Sequence, residues 1–182
     1  MDPISIIDNF YTPGTKLYKV LVEHSRIVTQ KSLEIAKNLI DLKPDLEFIE
    51  KAAMLHDIGI FLTRAQSIGC SGKQPYICHG YLGKKLLDEK GLPLKYGLVC
   101  ERHTGAGITK ENVFSNNLPL PKRDMVPISL EEKIICAADK YHSKSPKRAG
   151  KKITTTQIID DLGKISKDHA RRFSIWVKEF NL

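Results

Sequence analysis

A histidine stands beside an aspartate at His56-Asp57, followed by Ile58-Gly59, where an apolar helical pattern stops. Imidazole and carboxylate both bind first-row metals, but neighbouring side chains on a helix diverge by about 100°. A helix end and a following glycine relieve that divergence, so both groups can turn toward one ion. An ion held there would make this a catalytic site rather than a core fragment, since it draws the pKa of bound water toward neutrality. His24 and Asp139 are further groups of these two types on apolar helix faces. Asp139 follows Ile135 and Cys136 at the helical spacings, so an ionised carboxylate there is unfavourable by several kcal/mol unless a cation sits against it. Taken alone, a histidine on an apolar face is more often a core residue with a backbone hydrogen bond. The adjacent His-Asp pair and the apolar-face aspartate each need compensation, and one cation would compensate both.

Helices must carry these groups. The i, i+3, i+4 pattern predicts a long helix over 15–41, with Val20, Leu21, His24, Ile27 and Val28 on one face, closed by Lys43-Pro44. A second spans 45–56, with Gly59 as its stop. Others are expected over 79–90, ending at Gly91, and over 93–103 before Thr104-Gly105-Ala106-Gly107. Ser129-Leu130-Glu131-Glu132 reads as a capping box opening a helix through Asp139 to about 142. Two more helices are expected near 154–164 and 167–180. Residues 116–128 carry three prolines and read as an ordered loop, long enough for a lid or rim. No window alternates convincingly, so the fold class is all-α: a single domain over 1–182, with its motif-bearing core at about 20–142.

Composition narrows the setting. No run approaches the roughly 18 apolar residues of a membrane span, and the start lacks the order of a signal peptide, so the chain is read as cytoplasmic. The four cysteines show no CxxC pairing, which argues against structural zinc and disulfides. A net charge of +8 favours phosphorylated or nucleic-acid ligands at long range. Much of the excess lies in 144–152, a run that reads first as a solvated loop. Without interleaved aromatics, nucleic-acid binding is possible but not favoured.

The order His24, then His56-Asp57, then Asp139, on three helices, resembles the H…HD…D pattern of the HD superfamily of metal-dependent phosphohydrolases. His56-Asp57-Ile58-Gly59 is a common form of its central motif, and the resemblance spans about residues 20–142. It implies a helical bundle in which His24, His56, Asp57 and Asp139 surround a divalent ion, with Asp57 and His56 at the catalytic centre. Two-metal members add two histidines before the last aspartate, and His79 and His103 occupy that interval. Asp57 would then bridge the ions. The ligand types suit Mn, Fe, Co, Ni or Zn, and the carboxylates admit Mg.

What the resemblance implies is a phosphohydrolase acting through metal-activated water on a small phosphorylated substrate, a nucleotide-like phosphomonoester, phosphoanhydride or phosphodiester. Lys140 and Arg102, next to expected ligands, and Lys122 and Arg123 on the proline-rich loop are the cations that could meet its phosphates, although exposure to solvent is the simpler account of each. His142 could support the ligands, whereas His169 lies among charged residues and is expected at the surface. Members that cleave cyclic di-GMP typically follow the motif with lysine and carry a GYP triplet after the distal histidine; here Ile60 follows it and His103 leads into TGAG. Two alternatives use the same scaffold: a di-iron oxygenase, and a silent metal- or nucleotide-binding regulatory domain.

Overall fold

Apolar and small polar residues and His24 recur every three or four positions from Leu21 to Ala36, and they form the buried face of a 23-residue helix, α2 (Lys16–Asn38). Thr15 caps its start, its hydroxyl accepting from the Tyr18 amide. A 3-10 turn, Ile40–Leu42, and Lys43 in the left-handed region (φ 52°) end the run ahead of Pro44, which disfavours helical geometry in the residue before it. Ile27, expected on the inner face, is 38% exposed at its edge.

The computed structural model describes residues 1–144 and 153–182; the basic stretch read as a solvated loop lies outside them except for Lys144. The remaining helices among the described residues are α1 (Pro3–Ile7), α3 (Leu46–Leu55), α4 (His79–Glu89), α5 (Leu94–Arg102), α6 (Lys110–Ser115), α7 (Leu130–Lys140), α8 (Thr155–Ile165) and α9 (Lys167–Phe180). The fold is all-α, as expected. Its one exception is a two-stranded antiparallel ribbon, β1 (Arg64–Ala65) with β2 (Cys70–Ser71), in the segment read as irregular. Helix α2 packs on α3 and α7, α4 on α5, and α8 on α9, around an apolar core that runs from Ile7 to Phe180. All four cysteines are buried and free. No helix among the described residues is long and apolar enough to cross a membrane.

Local chemistry departs from the sequence reading at several points. Ser129 caps α7 by accepting from the Glu132 amide, but the Glu132 carboxylate does not close the box. It accepts from the Ile128 amide and from Arg102 instead. Helix α6 was not foreseen; Thr109 and Asn112 cap it reciprocally, asparagine doing what glutamate usually does. The 116–128 loop is neither lid nor rim of the cavity described below. Its Met125 pairs with Ile108 through both backbone amides and fills a small satellite core with Val113.

His169 also departs from expectation: it is 4% exposed. Its Nδ1 accepts from the Ala106 amide at 3.0 Å, and Arg172 donates to the Ala106 and Gly107 carbonyls at 2.8 and 2.6 Å. Helix α9 thereby pins the turn that follows His103. Lys167 and Arg171 are exposed, while Arg172 and the one ring nitrogen that can accept point in.

Gly59 is needed for space rather than for a left-handed turn, since its φ is −85°. A Cβ there would lie 2.3 Å from the His79 carbonyl oxygen and 2.5 Å from the Gly83 nitrogen, both backbone atoms of α4. Gly59→Ala should therefore destabilise the protein by about 2 kcal/mol, read from urea unfolding, because neither contact can yield without moving α4. Burial, reinforced by Arg172 and Lys140, lowers the His169 pKa to about 4. The unfolded chain then binds a proton that the folded chain does not, so stability should fall as pH drops from about 6.5 to about 4. The thermal midpoint of His169→Gln, which keeps an acceptor for Ala106, should be flatter across that interval.

Candidate metal centre

Each expected ligand stands where a helix begins, ends or is buried. His24 lies mid-way along the inner face of α2, and Asp139 in the last turn of α7. His56 and His103 are the C-cap residues of α3 and α5, Asp57 starts the turn after His56, and His79 opens α4. The C-terminal ends of α3, α5 and α7 thus meet at one place, where their partial negative charges favour a cation.

Three histidines are held alike. Nδ1 of His56, His79 and His103 lies 2.6, 2.7 and 2.7 Å from the carbonyl three residues back, at Ala53, Tyr76 and Cys100. A carbonyl only accepts, so Nδ1 carries the proton and Nε2 is turned to the cluster. Tyr76 stacks on the His79 ring at 4.7 Å between centroids, fixing its plane.

Asp57 divides the cluster in two. Its Oδ2 is 3.3 Å from His24 Nε2 and 3.2 Å from His56 Nε2, and Asp139 Oδ1 lies 3.0 Å from His24 Nε2. Its Oδ1 is 3.4 Å from both His79 Nε2 and His103 Nε2. In each group, His24-His56-Asp57-Asp139 and Asp57-His79-His103, the ligand atoms lie within 4.8 Å of one another and every residue is buried.

The donor set fits divalent metal. Asp57 Oδ1 and His56 Nε2 are buried without a hydrogen-bond partner among the described residues, a costly state that an ion would relieve. Nε2 of His79 and His103 face each other at 3.0 Å. With both Nδ1 protons committed to carbonyls, two lone pairs meet there, and burial lowers the His79 pKa to about 3, so a proton does not bridge them. A metal would.

In the first group, cations of the chain itself balance the carboxylates. Lys144 Nζ donates to Asp57 Oδ2 and lies 3.2 Å from His24 Nε2. Lys140 Nζ donates to Asp139 Oδ2 at 2.6 Å and to the His103 carbonyl at 3.1 Å. Burial alone would raise both carboxyl pKa values; Lys144 beside Asp57 and Lys140 beside Asp139 hold them well below the usual range. Burial lowers the His56 pKa too, but Asp57 and Asp139 overcome it and take the imidazole up to about 9. An ion entering this group would displace the Lys144 ammonium and the His56 proton.

The cluster opens on a cavity of about 480 Å³ lined by His79, His103, Asp139, Lys140 and Lys144. Lys140, read from the sequence as a phosphate contact, is on its wall, as is His142. Arg102 and Arg123 are not: Arg102 Nη1 bonds both Glu132 oxygens at 2.9 and 3.0 Å, and Arg123 Nη2 meets Glu101 at 2.5 Å. Buried carboxylates claim both guanidinium groups. Lys144 was missed as a site residue because it was grouped with the basic run. The signal available was its nearness to Asp139, five residues on, once the helix stops at Lys140.

Residues 21–144 match the HD domain family, about two thirds of the chain. The chain belongs to that family. This HD-domain chain is 39% identical over 121 residues to an uncharacterized protein of Methanocaldococcus jannaschii, covering 65% of this chain and 64% of that protein. It is 29% identical over 163 residues to the tRNA (cytidine(56)-2'-O)-methyltransferase of Thermoplasma volcanium, covering 90% of this chain and 41% of the other. The chain thus spans less than two thirds of the length of these curated relatives, and more than half of the methyltransferase lies outside the alignment. Among solved structures it is similar to the HD domain of L. monocytogenes phosphodiesterase PgpH in complex with cyclic-di-AMP, with a TM-score of 0.52 and 19% identity over 82% of this chain and 76% of that one. At that identity the likeness concerns the fold.

If Lys144 balances Asp57 when no ion is bound, its loss should matter only then. Lys144→Met should lower the stability of chelator-treated protein by on the order of 3 kcal/mol, and added Mn²⁺ should erase the difference. Paired thermal melts with EDTA or Mn²⁺ measure this; an equal loss in both would make Lys144 purely structural.

Proposed function

We propose that this protein is a metal-dependent phosphohydrolase acting on a nucleotide-like phosphomonoester, phosphoanhydride or phosphodiester. The observation that carries it is the two-sided placement of Asp57, one carboxylate oxygen facing His24 and His56 and the other facing His79 and His103. In this reading His24, His56, Asp57 and Asp139 hold one divalent ion, and Asp57, His79 and His103 hold a second. Bound there, the ions would supply a low-pKa water and neutralise phosphoryl oxygens.

The chain's own residues do the rest. The carbonyl bonds at Nδ1 hold three imidazoles with Nε2 aimed at the cluster before any ion arrives, so the ligands need no rearrangement of the rings. Lys140, fixed to the His103 carbonyl and to Asp139, presents a cation to the cavity wall where a phosphoryl oxygen would sit. Lys144, once released from Asp57, is a second cation within reach of the same substrate. Membership of the HD family and a similar fold solved with cyclic-di-AMP support this reading. The methyl transfer in the relatives' name belongs to proteins most of whose length has no counterpart here.

Asp57 sits in both groups, so its removal is the most telling test. Asp57→Asn should lose bound Mn, Fe, Co, Ni, Zn or Mg by elemental analysis and lower phosphate release from a nucleotide panel by about 10²-fold or more. Unchanged metal content and turnover would refute the assignment. Oxygen consumption by iron-loaded protein without phosphate release would point instead to a di-iron oxygenase.

A further inference from the structure

The cavity has two unlike walls. One carries the His/Asp cluster with Lys140 and Lys144, and the other is mainly aliphatic, with Asp161 of α8 its one carboxylate: Ile68 from the 3-10 turn between β1 and β2, Ile153, and Ile158, Leu162 and Ile165 from α8. Ile158, Leu162 and Ile165 fall at i, i+4 and i+7, one stripe of that helix. Ile158 and Leu162 are 3% and 4% exposed, whereas Ile165, at the end of the stripe, is 65% exposed although it borders the cavity. An exposed isoleucine continuing a buried stripe onto a cavity rim is a surface with an apolar ligand to cover.

Building on the phosphohydrolase reading, we propose that this stripe of α8 seats the base of a nucleotide whose phosphate lies at the metal cluster. A sugar phosphate would set most of its hydroxyls against five aliphatic side chains, with only Ser67, Thr104 and Asp161 to replace their lost hydration. A nucleoside places a flat, largely apolar ring there and keeps polar edges for Ser67 and Thr104 at the margin. The cavity, at about 480 Å³, is within the size range of small-ligand sites. Every α8 residue of the wall, and Ile153, comes after residue 144, beyond the span that matches the family model. The metal end thus lies within the HD match, and the apolar end lies outside it.

The test separates the two ends. Calorimetry on Mn²⁺-loaded protein would compare the phosphonate isostere of AMP, which resists hydrolysis, with methylphosphonate, which keeps only the phosphoryl end. The isostere should bind at least about tenfold more tightly. Ile165→Asp should lose most of that advantage and Ile165→Leu should keep it, with methylphosphonate binding at the wild-type value in both. Ile165 is exposed, so neither change threatens folding, and the thermal midpoint checks this. Equal affinity for the two ligands, or an equal loss of both in Ile165→Asp, would overturn the base seat. A nucleotide hydrolysis panel run alongside reads the other claim: no turnover with intact isostere selectivity would overturn the phosphohydrolase reading and leave the seat standing.

Discussion

A fully buried carboxylate organises this molecule. Asp57 has no exposure to water, and an ionised group in that position is tolerable only with cationic or hydrogen-bonding partners on both of its oxygens. Oδ2 has Lys144 and the two histidines of the first group; among the described residues Oδ1 has only the edges of His79 and His103. The described residues satisfy half of the carboxylate. The other half is a standing demand for positive charge, placed where three helix C-termini add to it.

Meeting that demand depends on how closely the helices approach. The turn after Asp57 must run against the first turns of α4 so that His79 reaches Oδ1, and Gly59 supplies the missing side chain that allows it. The turn after His103 must likewise stay folded, and α9 holds it through His169 and Arg172. The imidazoles themselves are fixed by carbonyls three residues back, so their aim follows from helix ends and not from long side chains searching for partners. Preorganisation of this kind places the entropic cost of ordering on folding and leaves little for ligand binding.

The ligands were legible from sequence for a physical reason: an aspartate or histidine on an apolar helix face is an anomaly that needs compensation, and His24, His56 and Asp139 are three such anomalies in an order that resembles one family. The helices were legible from their periodicity, including the two at the C-terminus. What was not legible depended on contacts between distant segments. Arg102 and Arg123 look like phosphate contacts until Glu132 and Glu101, 30 and 22 residues away, are seen to claim them. His169 sits among charged residues in the chain, yet its inward nitrogen pairs with a backbone amide 63 residues away. Helices α1 and α6 escaped because five and six residues give periodicity too little length to register.

Lys144 connects the metal end of the cavity to the substrate end. An ammonium and a divalent ion cannot occupy the same space beside Asp57, so a metal held there would displace Lys144, which already lines the cavity. On the proposed phosphohydrolase reading, the released charge would then be available to a phosphoryl group, so a bound ion would both create the anion-accepting centre and free a cation to complete it. Without metal the same lysine neutralises Asp57, the cluster carries little excess charge, and an anionic ligand gains little by entering. In the proposed reading, metal would bind before phosphate, because Lys144, which lines the cavity while paired with Asp57, would give up that pairing only to an ion.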